Sequence, residues 1–464
     1  MSNVYDIVVI GSGVSGLMCG YKLEKDGYKV LVVEANNIIG GRTRQDFNFT
    51  SYPVELGGEM IHGGDTLYYR LAMENKWELF EVFSMDLFNS PINSTYLYLG
   101  RERKLIRADQ RDEDIQKLAD ALVSLSDEID NPNREMNLLE HLIKKQVPFR
   151  VLGLADAIYS KTWATDLDRI GVKEAAREDS KPNTIPNNYK VQQSSKIMLD
   201  HFSKSLDINL NWRVKHIDTT KDEKLVKVTS YNGQVVQAQR VVVTVPLQIL
   251  KDGDITFTPE LPERKKIAIK TIGMDGGMKI IAKFNKKFWL NNCQLVLCGD
   301  SPVPQIWMDG PPYRPLVPGQ PSEYVSVGFI TGDQAKAISA LSPQKQIRTF
   351  LDQLDAMFGT SENGWTPASD SFISHMVYDW QKNPFVRGAY SYPSIIPSTY
   401  PYKNYPNEIL AEPIDNKLFF AGEATATTYD LSTINGALET GVRVYEELKT
   451  SLPISNKLQS KPKM

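Results

Sequence analysis

Gly11-Ser12-Gly13-Val14-Ser15-Gly16 has the residue types and spacing of a backbone cradle for a pyrophosphate. In such a cradle Gly11 permits a tight turn, Gly13 lets a phosphate approach the main chain, and Gly16 lets a helix pack closely on a strand. A helix opening there aims its unpaired N–H groups and the positive end of its dipole at the phosphates. Glu34, 18 residues after Gly16, offers a carboxylate that can accept hydrogen bonds from ribose hydroxyls. Together these features predict a dinucleotide site. Gly40-Gly41-Arg42-Thr43 follows too soon for another unit of this kind. It reads either as a second backbone nest with a cation beside it, suited to the same pyrophosphate, or as a turn with a solvated arginine.

Further along, Lys279, Trp380, Tyr390 and His62 each admit both a structural and a chemical reading. Lys279 opens an apolar strand, as a lysine that snorkels or one that acts. Trp380 and Tyr390 are either core aromatics or ring faces that attract a cation. His62 either bonds a substrate nitrogen or is structural. Glu59 and Asp65 add negative charge nearby, which suits a cationic substrate and equally a solvated loop.

The elements that must carry these residues are legible in outline. Residues 5–10 predict a strand, 16–27 a helix and 29–33 a second buried strand, a βαβ unit. Residues 110–127 and 134–145 predict helices of an insertion. Alternating patterns predict strands over 209–214, 225–228 and 240–245, and the Pro- and Gly-rich stretch 300–321 a long loop. A strand over 417–421 and a helix over 434–448 close the pattern.

The chain has 464 residues, 41% hydrophobic and 23% charged, with a formal net charge of −3. That suits a folded protein of more than one unit and gives no basic patch for nucleic acid or an anionic membrane. Three cysteines and five histidines show no metal-ligand spacing, so no metal is expected. Without a signal-peptide pattern or a long apolar run, a soluble, cytoplasmic protein is the expectation.

The sequence resembles the flavin-dependent amine oxidases, a family that includes monoamine oxidases, polyamine oxidases and lysine-specific histone demethylases. The resemblance rests on Glu34-Ala35 through Thr43, Glu55-Leu56-Gly57-Gly58-Glu59-Met60-Ile61-His62-Gly63 and Val243-Thr244-Val245-Pro246-Leu247. It continues at Lys279, Phe288-Trp289 and Gly388-Ala389-Tyr390-Ser391, and closes with Phe420-Ala421-Gly422-Glu423-Ala424-Thr425 and Thr433-Ile434-Asn435-Gly436-Ala437. It implies an α/β fold: a Rossmann-type FAD-binding domain intertwined with an α+β substrate domain and a helical insertion. The FAD-binding segments are expected at 1–84, 206–285 and 396–450, the substrate segments at 85–205 and 286–395, and a flexible tail at 451–464.

The resemblance further implies FAD held without a covalent bond, since Ala389 stands where monoamine oxidases have the flavin-linking Cys. Gly11, Gly13, Ser15, Gly16, Glu34, Gly41 and Arg42 would hold the AMP–pyrophosphate end, and Val214 would meet adenine through its backbone. Gly57, Gly58, Glu59 and Met60 would pass along the isoalloxazine and ribityl, with Gly422 and Glu423 at the ribityl–phosphate region. Thr433 and Ile434, beside the capping residues Ser432 and Asn435, would open a helix aimed at the flavin. Asn36 stands where the family commonly has Arg.

Lys279 would position water or activate oxygen, and Tyr390 would form one wall guiding the amine. Thr433 takes the place of a second Tyr wall, with Tyr429 as a candidate substitute. The reaction implied is hydride transfer from an amine to the flavin, with O2 reduced to H2O2. Two alternatives remain at this stage, an L-amino-acid oxidase and a flavoprotein binding module without turnover. No Arg occurs between Glu59 and His62 to clamp a carboxylate, which favours a plain amine.

Overall fold

A computed structural model describes residues 4–84, 86–88, 94–180, 187–310, 314, 323–360, 364–427 and 430–452. The chain forms two compact units. One comprises Met1–Gly41, Lys196–Ile269 and Asn404–Met464, the other Arg42–Ser195 and Lys270–Lys403.

The first unit is built on the strand Val4–Ile10, whose run of β-branched residues is almost wholly buried. It pairs in parallel with Val30–Val33 on one side and Val235–Val243 on the other. Among the described residues the sheet has eight strands, with Asp207–Asn209 at one edge and Leu418–Phe420 parallel to Val235–Val243. The helices Val14–Lys25 and Ile434–Ser451 belong to this unit and pack together. A Cβ on Gly441 would lie 2.6 Å from the Ser15 carbonyl, so their backbones nearly touch.

The expected single strand over 209–214 is corrected here. Asp207–Asn209 and Val214–Asp218 are separate strands, divided by a turn with Asn211 at a φ of 56°. The turn is held because Asn211 N–H donates to Asn36 O and Trp212 N–H to Glu34 O. A run of alternating residues did not reveal that its middle was tied to another strand's end.

The second unit carries a seven-stranded sheet, again among the described residues. At its heart the strand Gly277–Phe284 lies between Tyr324–Thr331 and Phe372–Asp379, antiparallel to both. Met278, Ile280, Ala282 and Phe284 enter one core, while Ile281 joins Tyr52, Val54 and Leu56 in another. Period-2 alternation therefore sends odd-numbered side chains, Lys279 included, toward residues 49–59.

A helical layer (Glu113–Val123, Leu138–Lys144, Phe149–Ala155, Val172–Asp179) covers the far strands through a shared core. The sequence reading keeps residues 42–84 with the first unit. Here Ile61–His62 and Leu79–Ser84 instead pair with Asn187–Val191 inside the second. The stretch 300–321 is not all loop, since Gln305–Asp309 is a strand of the sheet; residues 311–313 and 315–321 lie outside the described ones. Residues 453–464 of the expected tail lie outside them as well.

Candidate active site

The expected site residues fall into two groups, one in each unit. In the first unit the chain leaves the strand Val4–Ile10 through Gly11, at a φ of 105°, and enters the helix at Val14. A Cβ on Gly16 would stand 2.1 Å from Gly11 O, so no side chain fits in the turn. Gly13 caps the helix with no side-chain hydrogen bond, no acid occupies the first turn, and a Cβ on Gly13 would meet nothing within 4 Å. This is an anion-ready helix end with open space in front of it.

Glu34 is buried and held. Its Oε2 accepts from Ser12 N (2.8 Å) and Ser12 Oγ (2.7 Å), and its Oε1 from Asn36 N (2.8 Å). Gly40 bridges to Gly13 and its N–H donates to Ser12 O, which brings Gly41 alongside the cradle. Ser15 Oγ lies 3.0 Å from Thr440 Oγ1, which also accepts from Gly422 N at 3.0 Å. Glu423 is buried just after Gly422, and Val214 is buried at the start of its strand. Thr433 caps the last helix, accepting from Gly436 N at 2.9 Å, and Ile434 is its first residue. Tyr429 lies outside the described residues. A group with a pyrophosphate, a ribose and an adenine fits this donor set, so the residues present suit FAD.

In the second unit the segment Glu55–Met60 is fixed peptide by peptide. Leu56 N–H donates to Arg44 O at 2.8 Å and Gly58 N–H to Arg42 O at 3.1 Å. Successive carbonyls of an extended chain point to opposite sides. Those of Glu55 and Gly57 accept from Lys279 Nζ at 3.0 and 2.8 Å, and that of Leu56 accepts from Trp380 Nε1 at 2.9 Å. The third N–H of Lys279 goes to Glu59 Oε1 at 3.0 Å, and its ammonium stands 4.9 Å from the Trp307 ring centroid.

The three donors of Lys279 therefore all have protein acceptors. Glu59 reaches a second buried lysine as well, Lys190, at 3.0 Å. Burial pulls Lys190 down, but Asp309 and Glu59 more than offset this and hold it above the ordinary lysine value. Burial raises Glu55, whose Oε1 accepts from Ser195 N, to about 7.

Gly58 is exposed beside this segment and Met60 is buried. Arg42 donates to Ala389 O at 3.0 Å, and Tyr390 Oη donates to Thr162 O at 2.8 Å, so the Tyr390 ring is tethered at its far end. Trp380 is buried 4.6 Å from Tyr378, ring to ring. His62 Nδ1 lies 2.7 Å from Asn188 Oδ1, and Asn188 Nδ2 donates to Phe83 O. With its amide thus oriented, Asn188 accepts, so Nδ1 carries a proton.

The second unit thus brings together Lys279, Trp380, Gly57 and Glu59, while Tyr390 and His62 are anchored by other partners. The sequence reading missed Lys190 and Asp309. Lys190 lies on the short strand Asn187–Val191 and Asp309 ends Gln305–Asp309, and no motif marks either in the sequence. Among the described residues no helix is long and apolar enough to cross a membrane, and no group of three or more His, Cys, Asp or Glu could hold a metal ion.

The family described as flavin containing amine oxidoreductase matches residues 14–448. Polyamine oxidase 2 of Arabidopsis thaliana is 27% identical, over 96% of this chain and 88% of its own length. Lysine-specific histone demethylase 1B of Mus musculus is 25% identical over 94% of this chain but 52% of its own. Among solved structures, wild-type putrescine oxidase bound to putrescine superposes with a TM-score of 0.79 at 17% identity, over 97% of this chain and all of that one. Cyclohexylamine oxidase from Brevibacterium oxydans does so with a TM-score of 0.79 at 19% identity, over 96% and 99%. At such identities the structural likeness concerns the fold.

Proposed function

We infer, for a chain that belongs to the flavin-containing amine oxidoreductase family, that its substrate is an aliphatic di- or polyamine without a carboxylate. The protein is an FAD-dependent amine oxidase. When bound, FAD supplies the two-electron acceptor for hydride from the amine carbon, and O2 reoxidises it to give H2O2. The chain's own residues do the rest. Gly11, Gly13, Ser15, Gly16, Glu34, Gly41, Val214, Gly422, Glu423, Thr433 and Ile434 would hold the cofactor, as would Arg42, Gly57, Gly58, Glu59 and Met60. Lys279, whose three donors are held by protein acceptors, acts toward oxygen or water as a fixed positive charge. Tyr390 guides the amine and Trp380 keeps the segment under Leu56 in place. His62 bonds the substrate nitrogen through Nε2.

The observation that carries the substrate reading is that Glu59–His62 contains no arginine to clamp a substrate carboxylate. The nearest arginines before it, Arg42 and Arg44, donate to Ala389 O and to Tyr378 Oη. Without an arginine clamp, a substrate carboxylate entering an apolar pocket would be desolvated at a cost of several kcal/mol. Polyamine oxidase among the relatives supports the same class.

Anaerobic titration of the flavin absorbance tests this. A di- or polyamine should bleach the flavin at least tenfold faster than an amino acid of similar length. The rate should rise with pH, because hydride leaves from the neutral amine. Faster bleaching by an amino acid than by its decarboxylated amine would move the protein to amino-acid oxidation. No bleaching by any member of a broad amine panel would favour a binding module.

A further inference from the structure

Glu59 is shared between two lysines. Its Oε1 accepts from Lys279 Nζ at 3.0 Å and its Oε2 lies 3.0 Å from Lys190 Nζ. Lys190 in turn lies 3.6 Å from Asp309 Oδ2, and Asp309 Oδ1 accepts from Gly310 N at 2.8 Å. The side chains of Lys279, Glu59, Lys190 and Asp309 are 3, 5, 9 and 7% exposed, so two positive and two negative groups form one buried row.

Charges this deep persist only when each is paired. One carboxylate between two ammonium groups leaves a positive charge over, and Asp309 supplies the missing negative one. Burial pushes the Asp309 carboxyl up, but Lys190 and then Arg314 bring it below the usual range. Two of the three Lys279 donors go to main-chain carbonyls, so Glu59 is the side chain that fixes the third. A carboxylate bonded through one oxygen alone can rotate, and Lys190 holds the other oxygen.

Lys190 stands two residues after Asn188 on the strand Asn187–Val191, so both side chains leave the same face. One strand face thereby holds Glu59 with Lys190 and His62 with Asn188.

We propose that Lys190 is a positioning residue for the oxidation: anchored by Asp309, it orients the Glu59 carboxylate and through it fixes the ammonium of Lys279. The proposal rests on the reading above in which Lys279 acts in the reaction. Lys190 itself need not touch substrate, oxygen or cofactor.

The test is a pair of double-mutant cycles on the flavin-loaded protein. In stopped flow, Lys190→Met should slow flavin reduction or reoxidation by roughly five- to tenfold in the parent, yet by less than about twofold in a Lys279→Met background. Lys190→Arg, which keeps the charge, should return the rate to within about threefold of the parent. Equal slowing in both backgrounds would mean that Lys190 does not work through Lys279, and would overturn the proposal.

Thermal unfolding supplies the second cycle. Lys190→Met should lower the melting temperature by several degrees, because Asp309 and half of Glu59 lose their partner. Adding Asp309→Asn should recover part of that loss. If Asp309→Asn deepens the loss instead, the row is not a charge-balanced pair of pairs and the coupling fails. Where Lys190→Met does not yield folded protein, Lys190→Arg and Lys190→Met/Asp309→Asn are read in its place. Should Lys279→Met leave both half-reactions unchanged, the role given to Lys279 falls on its own and takes the kinetic claim with it. The melting cycle still decides the coupling.

Discussion

The carbonyls of Glu55, Leu56 and Gly57 leave one extended segment on alternate sides, and a lysine and a tryptophan more than 200 residues away close on them. The segment works only if Gly57 stays bare. A Cβ there would lie 1.8 Å from Arg42 O, which accepts from Gly58 N–H, and 2.9 Å from the Trp380 ring, which donates to Leu56 O. Gly57→Ala should therefore shift the segment, breaking the Lys279 bond to Gly57 O. It should cost about 1–3 kcal/mol of stability as overpacking and most of the amine-dependent peroxide formation. A Gly57→Ala protein with the parent's melting temperature and turnover would show that the segment tolerates the shift. Gly11, Gly13 and Gly16 were legible in the sequence because each meets a local demand of one turn. Lys190 and Asp309 were not, because their meaning lies in partners that only the fold brings near. Glu59 and Lys279 are themselves 220 positions apart.

Among the elements, the strand–turn–helix at the N-terminus announced itself through its period and its glycines, and the structure begins that helix at Val14. The breaks inside 209–214 and 300–321 did not, since a tied turn and a short strand leave no composition signal. One small helix, Pro406–Ala411, shows how a buried charge supports such a piece. As an ammonium, Lys265 Nζ donates to the carbonyls of Ile409, Leu410 and Glu412 at its end and stands 3.9 Å from the Phe420 ring centroid, and the neutral amine keeps two of those three donors. Loose carbonyls at a helix C-terminus are thereby satisfied. The helix in turn packs on Glu423–Thr425, next to the expected FAD contacts Gly422 and Glu423. Burial pushes Lys265 down from its ordinary 10.5 to about 7. Between those values the unfolded chain holds a proton that the folded one has released, so folding stability from this group rises with pH across that window. The deficit of Lys265→Met relative to the parent should therefore widen from pH 7 upward, by at most about 1.4 kcal/mol per pH unit. Denaturant unfolding at pH 6, 7.5 and 9 checks it. A deficit that is constant or shrinks with pH would mean that the lysine keeps its proton.

Across the whole molecule, the chain passes back and forth between two units, each with a sheet and cores of its own. The sequence reading expects a discontinuous layout with borders set by motif position; residues 42–84 fall in the second unit, where Ile61–His62 and Leu79–Ser84 pair with Asn187–Val191. A census of possible attachment points then bears on the cofactor. A thioether to the flavin needs a reactive thiol beside it. Cys19, Cys293 and Cys298 are all free and buried within hydrophobic cores. Burial pushes Cys293 up to about 12 and the other two above their ordinary value, so none is a thiolate near neutral pH. Ala389 carries only a methyl group, with its N–H donating to Asp275 O. Of the histidines, His62 is paired with Asn188, His141 with Ala121 O, His201 with Tyr21 and His216 with Thr256. His375 lies on the strand Phe372–Asp379 of the second unit. The cofactor should accordingly be held by hydrogen bonds and packing alone. Acid or heat denaturation of the purified holoenzyme should then release all of its yellow colour into the supernatant, with free FAD recovered in proportion to protein. Colour that stays with the precipitated chain, and with one peptide after proteolysis, would reveal a covalent link and identify the residue that makes it.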